Sequence, residues 1–100
     1  MFSIFGDLDK CCITGSTYKD IHHCFCGANR HKCEKYGYVI PIHKKLHPNG
    51  VEFDKDFCKQ ITGKDRVELN NWIRAECQKD YESKHGTRED FINEFGRNYL

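Results

Sequence analysis

The chain has 100 residues, 38% of them hydrophobic and 13% aromatic, which is enough for one folded core and too short for two. No apolar run reaches the roughly 18 residues that a membrane-spanning helix needs, so no membrane association is expected. The net charge of +1 gives no overall bias toward a polyanionic partner, and a chain this short has a thin margin of stability that a bound metal or partner could raise.

In chain order, Phe2 to Phe5 reads as a short strand or an arm. Cys11 to Ser16 reads as a strand end running into a turn, with Gly15-Ser16 as the breaker. Tyr18 to Phe25, with β-branched, aromatic and polar residues alternating, reads as the returning strand of a hairpin. Ala28 to Tyr36 is a short polar helix or ordered loop ended by Gly37. Tyr38 to Ile42 is a short apolar strand, and Pro41, which has no N–H to donate, places it at an edge. His43 to His47 is about one helical turn, stopped by Pro48-Asn49-Gly50. The second half is helical: Asp54 to Ile61, then Asp65 to about Lys84, then a last helix capped by Thr87 with Glu89 and Asp90 in its first turn. Leu69, Trp72, Ile73, Cys77 and Tyr81 recur at three- and four-residue spacing, the pattern of a buried stripe. The fold class expected is α+β: a small module over 10–53 with a β-hairpin, and a helical extension over 54–100 packing on it as one domain.

Charge is unevenly placed. Between Lys10 and His47 there are seven lysines and arginines against two acids, whereas from Asp54 to Leu100 nine face ten. A basic first half suits a phosphodiester backbone. The cysteines number seven, an odd count, and the acidic stretch Met1 to Lys10 does not read as a secretory signal. A disulfide framework is therefore disfavoured, and a reducing cytoplasm is expected. Cys58 and Cys77 read as small apolar residues on helix faces. Cys11, Cys24, Cys26 and Cys33 are left as candidates for a second, cysteine-held metal cluster.

The chemistry-bearing residues are histidines. Adjacent residues of a strand point to opposite faces, so His22 and His23 can take different tasks, one on a metal and one toward a substrate. His43 and His47, four apart on a helix, would share a face. His22, His43 and His47 together would give three imidazole ligands and leave one position open. His23 would then be free as a general base with a pKa near neutrality.

The order of His22-His23, Gly27-Ala28-Asn29-Arg30, a short strand, and His43 with His47 resembles the HNH endonucleases, also called ββα-metal or His-Me finger nucleases, with an arrangement similar to colicin-type DNases. The run from Cys11 to Gly50, together with Arg88 to Phe91 and Phe95 to Leu100, resembles small HNH-like proteins encoded by phages of Gram-positive bacteria. The resemblance implies a ββα-metal module, a divalent ion (magnesium, manganese, nickel or zinc) and hydrolysis of DNA. It implies His22 as the strand ligand, His47 with His43 completing the metal site, and His23 as the base that activates water. Asn29 would orient the catalytic histidine through its backbone. Arg30, Lys32, Lys44 and Lys45 would hold phosphate, with Arg30 also stabilising developing charge.

Thr14 and Ile40 stand where many members carry knuckle cysteines, and Glu52 stands where a histidine often follows Gly50-Val51. The expected function is metal-dependent DNA cleavage. The alternative is a non-catalytic descendant that binds nucleic acid, or that binds a phage or host protein as an inhibitor of host defence.

Overall fold

The computed structural model describes every residue except Cys26. Strand β1 (Lys19–His23) is followed by a 3-10 turn (Gly27–Asn29), helix α1 (Arg30–Tyr36), strand β2 (Val39–His43) and a second 3-10 turn (Lys44–Leu46). Helices α2 (Lys55–Thr62), α3 (Arg66–Lys84) and α4 (Arg88–Phe95) complete the chain. The fold is α+β, as expected. Among the described residues no helix is long and apolar enough to cross a membrane.

The hairpin differs from the expected one in its partner. β1 pairs antiparallel with β2, running from Lys19 opposite His43 to His23 opposite Val39. Residues Cys12 to Thr14 form a turn instead of a strand. Gly15 N–H donates to the Cys11 carbonyl at 2.8 Å and closes that turn too tightly for strand pairing. The turn still docks on the sheet, because Cys12 N–H donates to the Pro41 carbonyl at 3.0 Å. Pro41 thus keeps its acceptor in use where it lacks a donor.

α1 sits between the two strands and returns the chain. It ends at Gly37, whose φ of 79° favours glycine, and the Phe2 ring occupies the space a β-carbon would need. Phe2 to Phe5 forms no strand: Ile4 N–H reaches the Gly37 carbonyl at 3.0 Å, and the segment lies as an arm.

The helical half follows its capping residues. Asp54 accepts from the N–H groups of Asp56 and Phe57, and Asp65 and Thr87 each form a reciprocal capping box with Glu68 and Asp90. Val39, Ile40, Leu46, Ile73, Cys77 and Phe91 are all fully buried in one core. Module and extension therefore share their interior. α4 is tied back to the first half: the Lys32 ammonium donates to the Glu94 carbonyl at 2.7 Å, and the Tyr36 and Tyr81 hydroxyls each donate to the Glu94 carboxylate at 2.8 Å.

The α3 stripe is as expected at Leu69, Ile73, Cys77 and Tyr81, but Trp72 leaves it. Its ring is 38% exposed, with Phe5 at 6.3 Å and the Lys64 ammonium at 6.0 Å. At a helix pitch of 100° per residue it falls at the edge of the face centred on Leu69 and Ile73. Gln78, a polar residue, is fully buried instead, and holds the C-terminal tail through Asn98 and the Tyr99 N–H. Trp72→Ala should therefore cost only about 1–2 kcal/mol. Phe91→Ala, at a fully buried ring, should cost about 3–5 kcal/mol. Urea denaturation of the two variants measures the difference.

Candidate functional site

The parity of β1 decides what each histidine can meet. Asp20 and His22 share one face of the hairpin with Ile42 and Ile40, opposite which they pair. His23 and Lys19 lie on the other face, with Val39 and His43. His22 is 4% exposed. Burial, reinforced by the charge of His47, pushes its pKa down to about 4, so the ring is neutral near physiological pH.

His47 reaches the His22 face without being on a helix. Pro48 disfavours helical backbone at the residue before it, and His47 is extended, at φ −69° and ψ 111°. Its ring lies over Gly50, where an added β-carbon would come within 2.9 Å of Nδ1. From there His47 Nδ1 meets the Asp20 carboxylate at 2.8 Å, and His47 Nε2 meets His22 Nδ1 at 3.1 Å. A carboxylate only accepts, so Nδ1 of His47 carries a proton, and in the neutral ring Nε2 carries the lone pair. That lone pair faces His22. The second Asp20 oxygen is held by the Lys44 ammonium at 2.7 Å, which keeps the carboxyl below its ordinary pKa. Asp20 thus has both oxygens engaged and acts through His47, the arrangement that orients imidazole ligands in metal sites.

The expected helical pairing of His43 with His47 does not form. His43 ends β2 on the opposite face from His22. Its Nδ1 accepts the Lys45 N–H at 3.0 Å, and its ring packs against Phe57 and Tyr18. Its role here is to cap the short turn that follows.

His22, His23, Phe25, Gly27, Arg30, His47 and Asn49 line a cleft of about 410 Å³. His23 Nε2 meets the Glu34 carboxylate at 2.9 Å, which lowers the Glu34 pKa; in the neutral His23 ring the lone pair then lies on Nδ1. Glu34 on α1 therefore holds His23, the task the resemblance gave to Asn29. Asn29 is the N-cap of α1 and its side chain makes no capping bond. Arg30 is largely exposed at the cleft wall, with Nε 3.8 Å from Glu34. Lys32 and Lys44 are engaged with Glu94 and Asp20, as described. Lys45 is exposed, with its ammonium 5.6 Å from the Phe57 ring. Glu52 accepts from the Tyr18 hydroxyl.

None of the described cysteines lines this cleft. Cys11 Sγ accepts the N–H groups of Ile13 and Thr14. Cys24 and Cys33 are fully buried core residues, and Cys33 is bonded to both backbone groups of Phe25. The expectation for Cys26 lies outside the described residues. Among the described residues no group of three or more histidines, cysteines or carboxylates converges to hold a metal.

What does converge is the His22 and His47 nitrogen pair. Two nitrogens about 2.0–2.1 Å from one ion, in adjacent positions around it, lie roughly 3 Å apart, and the observed separation fits. The same spacing also fits a hydrogen bond from His22 Nδ1–H. The hydrogen bond needs the His22 proton on Nδ1, whereas chelation needs it on Nε2.

Asp20, Glu34 and Asn49 were missed in the sequence. The first two are ordinary acids whose partners lie 27 and 11 residues away. For Asn49, the Pro48-Asn49-Gly50 turn gave a signal of shape and none of chemistry. Compared with protein-family models, with curated proteins and with solved structures, the chain matches none.

Proposed function

We propose that the cleft is a metal-dependent site for phosphodiester hydrolysis on DNA, of the ββα-metal kind. The observation that carries this reading is the meeting of His22 Nδ1 and His47 Nε2 at 3.1 Å in the same cleft as His23 and Arg30. His22 and His47 would hold a divalent ion, and a bound ion supplies Lewis-acid stabilisation of charge on the phosphate and the leaving oxygen. His23, oriented by Glu34, takes the proton from water at Nδ1. Arg30 holds a non-bridging phosphate oxygen, and Asn49, also in the cleft lining, offers an amide to the backbone of the substrate.

A supercoiled plasmid incubated with the protein and magnesium, manganese, nickel or zinc tests this. The wild type should nick or cut with at least one metal, and His23→Ala should be slower by about 10²- to 10⁴-fold, the usual contribution of a general base. Absence of cutting with every metal sinks the reading.

One observation favours a non-catalytic nucleic-acid or protein binder as the second reading. Among the described residues only two ligands meet, and Lys32 and Lys44 are committed to intramolecular partners. Plasmid retention without cutting, unaffected by His23→Ala, would select it.

A further inference from the structure

Two buried side-chain polar atoms have no hydrogen-bond partner among the described residues: His22 Nε2 and Asn70 Oδ1. Asn70 projects from α3, in the helical half, and its amide lies beside the His22 ring. An unmade hydrogen bond on a buried group is costly, and a proton on His22 Nε2 would let these two unpartnered atoms satisfy one another.

The proton is supplied by a change of tautomer. With hydrogen on Nδ1, His22 donates to His47 Nε2 and its own Nε2 can only accept. With hydrogen on Nε2, His22 donates to Asn70 Oδ1, and its Nδ1 lone pair joins that of His47 in facing one point. Only the second state chelates a cation. An amide can serve either state, presenting NH₂ to the first and oxygen to the second.

We propose that Asn70 is the positioning residue that holds His22 in the Nε2–H tautomer when a divalent cation binds. It does for His22 what Asp20 does for His47. This inference rests on the metal reading above and extends the site into α3, so that the helical half takes part in setting metal affinity.

The test is a zinc and cobalt titration of the purified full chain, followed by calorimetry and by the cobalt absorption bands, with Asn70→Leu and Asn70→Asp beside the wild type. Loss of an outer partner of a ligating histidine weakens binding by about 10- to 100-fold, and that loss is expected for Asn70→Leu. Asn70→Asp keeps the acceptor and removes the competing donor, so it should bind as tightly as the wild type or tighter. A merely structural role for Asn70 would weaken both variants alike.

Long-range ¹H–¹⁵N spectra of the zinc-bound wild type should show the His22 proton on Nε2. Equal affinity in all three proteins overturns the role of Asn70 and leaves the metal site standing, whereas a proton on Nδ1 of zinc-bound His22 overturns both that role and the chelate through His22 Nδ1. A wild type that binds neither ion overturns the site and this role together.

Discussion

Replacing His47 by alanine is expected to lower divalent-metal affinity by more than about a hundredfold, the upper end of what losing an outer partner costs. Replacing His43 by alanine should leave it within about twofold. The contrast follows from backbone geometry. His43 lies opposite Lys19 on the face away from His22, and its Nδ1 is occupied by the Lys45 N–H. His47 presents Nε2 to His22 with its other nitrogen fixed by Asp20. Equilibrium binding of zinc to the two variants measures it. Equal losses in both would mean that the turn over Lys44–Leu46 rearranges to bring His43 round, and the two-histidine chelate would be wrong. Asp20→Asn should fall between them, because an amide can still accept from His47 but no longer favours the charge that builds on a ligating imidazole.

That contrast also shows where sequence reading stops. The helices of the second half were legible because their signals are local: Asp54, Asp65 and Thr87 start them. His22 and His23 were legible as a divided pair because strand parity alone separates them. The spacing of His43 and His47 misled because it is a helical signal cancelled by Pro48, which holds His47 extended. Lys32 and Lys44 looked available for phosphate, and whether a lysine is free depends on carboxylates and carbonyls elsewhere in the fold. Asp20 and Asn70 carried no signal. Each gains its meaning from a ring brought to it by tertiary packing, His47 from the turn before α2 and His22 from β1. The first half of the chain read in isolation would contain the histidines and lack Asn70, one of the two groups proposed to set their tautomers.

The burial of His22 should make the metal-free protein sensitive to mild acid. The pKa of His22 falls from 6.5 in an open chain to about 4 in the fold, chiefly through burial and then through the charge of His47. Above pH 6.5 the ring is neutral in both states, and its contribution to stability is complete. Between pH 6.5 and 4 the unfolded chain takes up a proton that the folded chain refuses, so stability falls as pH falls. At about 1.4 kcal/mol per unit, the loss approaches 3 kcal/mol by pH 4, a large part of the roughly 5–15 kcal/mol that holds a small domain together. Asp20, held low first by its bond to Lys44, adds a loss of the same sign that is completed as pH falls through its depressed folded pKa. His22→Gln removes the titrating ring and should flatten the curve across that interval while keeping the Asp20 limb. Urea midpoints taken with a chelator present, from neutral pH to about pH 4, separate the two contributions. Parallel curves for wild type and variant would mean that His22 is solvated in the working protein, and the closed site built on it would have to be abandoned.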